Sequence, residues 1–230
     1  CEHFLWNFRK KQIFTSLKVA TSLDGHLAHL NRDSKWITGP SSRMHAHYLR
    51  AFHDALLVGV GTILQDNPSL NIRHPQYDHL KKKLIIVDKH AQILKKNWSE
   101  MKVFQAHSPE NIYFVVSHDL EDFVKNQGFS SIGVPLKNNR FEWKDVLSAL
   151  WDLGIRSLMV EAGASVLSSW LQAGLWQRLF IYQAPVILGG KSGITWSRDF
   201  SVPSMQDQLR LLEPQLKAIE KDILITGKYG

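Results

Sequence analysis

Three stretches combine residue types and spacing that suit ligand chemistry. The first is Val160-Glu161-Ala162-Gly163-Ala164-Ser165, a strand–turn–helix pattern. A glycine at such a junction lets an anionic group approach backbone N–H groups and the positive end of the helix dipole, with Glu161 at the strand's end beside the same crevice. The same residues also suit a plain tight connection. The second is Gly61 to Arg73, which follows an apolar run and offers Thr62, Asp66 and Arg73 where open α/β sheets place ligands. Its Asn67-Pro68 pair reads equally well as an ordinary turn. The third is Ser34-Lys35-Trp36-Ile37-Thr38-Gly39-Pro40, opening a predicted helix. A tryptophan there could stack on a ligand beside an anion site, or simply pack on the core.

Other chemistries lack their residues. There is no G-x-x-x-x-G-K-[ST] phosphate loop, no G-x-S-x-G elbow and no H-E-x-x-H pair. Eleven histidines are present, but His45 and His47 stand two apart on a predicted helix and so face different sides. With Cys1 the single cysteine, neither a disulfide framework nor a multi-cysteine zinc cage is available, and no metal is expected. A reducing, cytoplasmic setting is the expectation.

The elements that must position these groups alternate. Strand patterns cover Phe14–Ala20 (running into the turn dipeptide Asp24-Gly25), Ala55–Val60, Leu84–Val87, Ile112–Val116, Ser157–Val160 and Leu179–Tyr182. Most are apolar throughout, as in strands covered on both faces. Helix patterns lie at Ser41–Phe52, Phe141–Leu153 and Ala164–Leu175, the second stopped by Gly154. Leu209–Leu212 and Asp222–Thr226 have little helix between them and read as an antiparallel edge hairpin. The spacing predicts one α/β domain over residues 12–230, with a largely parallel sheet. Residues 1–11 put Phe4, Leu5 and Phe8 on one helical face before Arg9-Lys10-Lys11, a short lead-in helix from something upstream.

The chain has 230 residues, 44% of them apolar and 21% charged, so it can bury a core without staples. No apolar run approaches a membrane span, and the basic residues after Phe8 do not make a signal peptide. Its 28 basic against 21 acidic side chains give a net charge of +7. That excess favours anionic partners without separating nucleic acid from a phosphorylated metabolite.

Taken in order, several segments resemble one family. Lys18-Val19-Ala20-Thr21-Ser22-Leu23-Asp24-Gly25 resembles its K-x-A-x-S-L-D-G signature, and Ser34 to Thr38 its S-x-W-I-T. Leu49-Arg50 with Asp54-Ala55-Leu56, and Thr62 to Arg73, resemble its L-R…D-A-I and T-V-x-x-D-D-P-x-L-x-x-R. Val160 to Gly163 and Ala184 to Gly190 resemble V-E-G/A-G and A-P-x-x-L-G-G. The family is the 5-amino-6-(5-phosphoribosylamino)uracil reductases of riboflavin biosynthesis, and the resemblance spans about residues 12–190.

The resemblance implies a dihydrofolate-reductase-like fold, with a mostly parallel sheet carrying helices on both faces. It implies NADPH as cofactor and reduction of a ribosyl to a ribityl group. Ala20, Trp36, Thr62, Asp66 and Lys89, with Gly163, Ala164, Ser165, Val166, Leu167, Ser168 and Ser169, correspond to cofactor contacts. Ser34, Arg50, Leu70, Arg73 and Glu161 correspond to contacts with a phosphorylated pyrimidine substrate. Arginines suit its phosphate because guanidinium binds bidentately. Lys18 is the candidate for orienting or protonating the opened sugar, with Glu161 beside the reaction, whereas Asp24 suits fixing the turn with Gly25. A homodimer is implied, for which Trp176, Phe180 and Tyr182 offer apolar surface; core packing explains them equally well.

Two positions depart from the family pattern: His45, where an acid is expected, and Asn67, where a second Asp is common. Many members carry a zinc deaminase upstream, to which residues 1–11 would be an interdomain linker; its H-x-E and P-C-x-x-C motifs are absent from this sequence. The rival functions are a folate- or pterin-type reductase of the same fold and a basic nucleic-acid-binding module. No nucleic-acid signature and no membrane segment supports a partner of those kinds.

Overall fold

The computed structural model describes residues 2–30 and 37–230. By internal contacts the chain forms two compact units, Cys1–Phe14 with Tyr48–Leu158, and Thr15–His47 with Met159–Gly230. Among the described residues the larger strands are mostly parallel, with an antiparallel pair at the C-terminus.

In the first unit β3 (Ala55–Gly59), β4 (Lys83–Val87), β5 (Ile112–Ser117) and β6 (Ser130–Val134) pair in parallel, in that order. Leu57, Val58, Leu84, Ile85, Ile86, Phe114, Val115 and Val116 have no solvent exposure, as their continuous apolar runs predict. The helices are α1 (Glu2–Lys10), α3 (Val60–Asp66), α4 (Lys102–Ala106), α5 (Glu121–Asn126) and α6 (Trp143–Asp152); β7 (Leu136–Lys137) and β8 (Arg140–Phe141) form a small hairpin. Phe141, expected to open a helix, belongs to this hairpin instead. The helix proper starts at Trp143 and buries Trp143, Val146 and Leu150, the three- and four-residue spacing of one face. Val60, expected in a strand, begins α3. That helix stops at Asn67, whose left-handed φ of 41° asparagine tolerates, and Pro68 prevents continuation. The Asn67 side-chain oxygen also accepts the N–H of Lys102, so this departure serves as a helix stop and a tie to α4.

In the second unit β1 (Phe14–Thr21) pairs in parallel with β10 (Arg178–Gln183), β10 runs antiparallel to β13 (Asp222–Tyr229), and β13 to the edge strand β12 (Leu211–Ile219). The expected edge hairpin is present. Its register shifts between Leu212 and Gln215, around Pro214, which has no N–H to give a ladder and fits only an edge. β2 (His26–His29) pairs with β11 (Gly193–Thr195). The helix α7 (Ala164–Ala173) buries Leu167, Trp170 and Leu171 and ends at Gly174, where φ is +64° and a Cβ would lie 2.7 Å from the Tyr229 hydroxyl. Among the described elements three continue from one unit into the other along the chain: β1, whose Phe14 belongs to the first unit, α2 (Pro40–Ala51) and the fully buried β9 (Ser157–Val160). Trp176 and Tyr182 are 1% exposed, so of the two readings open for them core packing holds and interface surface does not.

Candidate active site

The second unit brings together the two residues to which the reaction was assigned. Lys18 lies on β1 and Glu161 directly follows β9. Their Nζ and Oε2 are 3.7 Å apart, with only 18% and 11% of the side chains exposed. This is an ion pair at contact range rather than a direct hydrogen bond. Successive strand residues alternate faces, so Lys18 and Ala20 share one face of β1. Their register partners on β10 are Phe180 and Tyr182, on the same face.

Tyr182 was missed as a site residue. Its ring centroid is 5.7 Å from the Lys18 Nζ, and its hydroxyl is 2.7 Å from Nδ1 of His45 on α2. Burial, with the Glu161 charge adding to it, raises the phenol far above its ordinary range, so the hydroxyl keeps its proton. His45 is shifted down, first by burial and then by the Lys217 charge, which favours the neutral ring. The imidazole tautomer sets which of the two groups donates in this bond. His45, the other departure from the family pattern, thus has a defined structural partner.

Asp24 does fix its turn. Its carboxylate accepts the Ser22 hydroxyl at 2.6 Å and the N–H groups of Leu188 and Gly189 at 3.1 and 2.7 Å. The Ser22 bond leads in holding the carboxyl well below the usual range. A group held ionised in this way is no proton donor.

The start of α7 follows in the same unit. Gly163 is its N-cap, brings no side-chain cap, and no acidic residue stands in the first turn. The N-terminal amides thus meet an uncapped, dipole-positive end of a ten-residue helix, and Gly163 and Ser165 are exposed. An anionic pyrophosphate fits this donor set. The later residues of the expected stretch are differently placed. Leu167 is buried and its N–H goes to the Gly163 carbonyl. Ser168 is buried with its hydroxyl accepting the Asp199 N–H, and the Ser169 hydroxyl donates to the Val166 carbonyl. Ala164 is buried and Val166 half-buried.

In the first unit Thr62 and Asp66 lie four apart on α3, hence on one face, and both are half-buried. Lys89 follows β4 and its ammonium donates to the Asn139 carbonyl at 3.0 Å. Arg50 and Leu70 are brought together: the guanidinium donates to the Asn71 carbonyl at 2.8 Å, and both line a cavity of about 50 Å³ with Asn71, Lys82 and His107. Leu70 has φ of 55°, an unusual value for a branched residue. Arg73 is exposed and does not line that cavity. Ser34 and Trp36 lie outside the described residues. Among the described residues no three metal-ligating side chains converge, and no helix is long and apolar enough to cross a membrane.

Fold and site together define a dihydrofolate-reductase-like domain. Residues 14–225 match the family model of the RibD C-terminal domain, and the chain belongs to that family. It is 33% identical over 228 residues to the riboflavin biosynthesis protein RibD of Bacillus amyloliquefaciens, covering 97% of this chain and 59% of that protein. It is 30% identical over 200 residues to the 2,5-diamino-6-ribosylamino-4(3H)-pyrimidinone 5′-phosphate reductase of Debaryomyces hansenii, covering 79% of this chain and 78% of that one. The solved riboflavin biosynthesis reductase of Saccharomyces cerevisiae superposes with a TM-score of 0.75 at 25% identity, covering 99% and 98%. The chain spans about three fifths of the length of the RibD relatives it matches.

Proposed function

We propose that this chain reduces the ribosyl group of 5-amino-6-(5-phosphoribosylamino)uracil to the ribityl group, using NADPH. The observation that carries the reading is the largely shielded Lys18–Glu161 pair, with Lys18 on the face of β1 it shares with Ala20. When bound, NADPH supplies the hydride to the sugar's C1′. What remains for the protein is to bind, orient and handle one proton. Lys18 is a cation placed to orient the opening sugar and deliver the proton its ring oxygen needs. Glu161 holds the ammonium and accepts hydrogen bonds from sugar or pyrimidine. Arg50 and Arg73 are assigned to the substrate phosphate, and Ser34 and Leu70 to the substrate, by the family resemblance.

The residues fit the cofactor as well. The uncapped start of α7 at Gly163, Ala164, Ser165 and Val166 suits the pyrophosphate. Ala20, Trp36, Thr62 and Asp66 are assigned to the cofactor by the family resemblance, and Lys89 is the cation for the 2′-phosphate. Leu167, Ser168 and Ser169 support this turn from within the helix. Residues 12–230 act as one reductase domain working as a cytoplasmic homodimer, and α1 links it to a deaminase domain upstream.

Purified protein is incubated with NADPH and either the phosphoribosylaminouracil or dihydrofolate, and loss of the reduced-nicotinamide absorbance is followed. Turnover of the phosphorylated pyrimidine alone is expected. Turnover of dihydrofolate alone would make the chain a folate-type reductase. Salt-sensitive RNA or DNA binding without NADPH binding would remove it from the enzymes.

A further inference from the structure

We propose that Tyr182, fixed by His45, is the positioning residue that sets the Lys18 ammonium against Glu161. The inference rests on the reading of Lys18 and Glu161 as the reacting-end pair.

Lysine presents a compact charge on a flexible four-carbon stem, so one carboxylate 3.7 Å away does not define where the ammonium sits. The register of β1 on β10 supplies a second wall. It sets Ala20 opposite Tyr182 and Lys18 opposite Phe180 on one face, and the Tyr182 ring comes within cation–π range of Nζ at 5.7 Å. The ammonium is thus held between a carboxylate and an aromatic ring.

A phenylalanine would supply the same ring; the hydroxyl needs its own account. Tyr182 is 1% exposed, and a buried hydroxyl without a partner is costly. Its partner, His45 Nδ1 at 2.7 Å, comes from α2, a different element from the strand that carries the ring. The bond fixes the far end of the ring while β10 fixes the near end, leaving the ring little freedom to tilt away from Lys18. Among the described residues, the charged groups acting on this pair include Lys18 from β1, Glu161 after β9 and Lys217 from β12. With Lys217 beside it, a neutral ring at position 45 adds no further cation to the Lys18 site. Histidine here gives the hydroxyl a hydrogen-bond partner without bringing the negative charge of an acid, which would compete with Glu161 for the ammonium.

The test uses Y182F, H45L, their double variant and Y182L, each checked for cooperative thermal unfolding. The first readout needs no turnover: the side-chain NMR signals of Lys18 in protein labelled at lysine and free of cofactor, assigned by their loss in K18R. The ring-current displacement of the Lys18 ε-methylene should be lost in Y182L and reduced in both Y182F and H45L. The second readout is kcat against KM. Y182F and H45L should each lower kcat by about threefold to tenfold, the range of one buried hydrogen bond, with both KM values nearly unchanged. Because the two residues act as one unit, the double variant should be no slower than the slower single. H45N, which keeps an acceptor, should recover part of the loss. Lys18 signals unmoved in Y182F and H45L, or losses that multiply in the double variant, would overturn the proposal. If the wild type turns over no phosphorylated pyrimidine, the function falls, and the Lys18 signals still decide the positioning role.

Discussion

Acidification tests the packing around the α2–β3 junction, because His53 there is a buried ionisable group. It is 3% exposed, its Nδ1 meets the Leu49 carbonyl at 2.8 Å, and the His3 ring lies 4.9 Å away. Burial is the largest influence on it and lowers it from 6.5 to about 4, against the opposing pull of the Leu49 carbonyl. Between those values the unfolded chain binds a proton that the folded chain does not. Stability is therefore full above about pH 6.5 and falls as the pH drops toward 4. At roughly 1.4 kcal/mol per unit, the whole difference comes to about 3 kcal/mol, most of it lost by about pH 4.5. Urea unfolding at about pH 7.5 and 4.5 measures this in the wild type and in His53→Asn, which cannot titrate. The variant should be less stable at neutral pH and should lose about 2–3 kcal/mol less on acidification. His45 and His107, also lowered by burial, contribute to both proteins and cancel in the comparison. Equal acid losses in the two proteins would refute the reasoning.

At the start of α7, Ser165→Asp should have opposite effects on fold and ligand. It should raise helix stability by a few tenths of a kcal/mol through the dipole while weakening NADPH binding about tenfold, read by melting temperature and by fluorescence titration. Unchanged NADPH affinity would remove α7 from the cofactor site. Arg73→Ala should raise KM for the phosphorylated substrate about tenfold or more and leave NADPH affinity within about twofold; an equal loss for both ligands would mean that Arg73 serves the cofactor. At Gly193 a Cβ would fall on the His26 ring, which is 3% exposed and has no room to retreat. Gly193→Ala should therefore cost about 1–3 kcal/mol in urea unfolding.

The strands β1, β3, β4, β5, β9 and β10 were legible as short strand-like runs, and α6 and α7 from their apolar spacing. By contrast β6 (Ser130-Ser131-Ile132-Gly133-Val134) and the short helices α4 and α5 were not read. What escaped notice is short. α3 has seven residues and continues an apolar run without a break, so nothing in its composition marks where strand stops and helix starts. β7 and β8 have two residues each, too few for a period to show. Site residues near one another in the chain, such as Gly163 to Ser165, could be read from local pattern. Lys18 and Glu161 were placed by family resemblance, and the structure brings them together. The His45–Tyr182 bond could not be read, because it joins residues 137 apart and depends on strand register. A one-residue slip of β10 would turn Tyr182 to the other face, and nothing in its neighbours' sequence states the register.

The net charge of +7 follows from composition, and several of the basic side chains behind it have defined partners. Arg43 donates to the Thr38 carbonyl, Arg50 to that of Asn71, Lys83 to that of Leu153 and Lys89 to that of Asn139. Arg156 donates to the carbonyls of Trp151 and Ile155 while its guanidinium lies 3.6 Å from the Trp151 ring centroid. A carbonyl satisfies the donor without cancelling the charge. Five of the 28 basic side chains thus have defined carbonyl partners, and those bonds tie helix ends and loops. Those five cations therefore have a structural use in holding the loops. They need no polyanion to account for them, and a basic stripe with interleaved aromatics, the mark of a nucleic-acid surface, is a different arrangement from cations distributed over separate carbonyls.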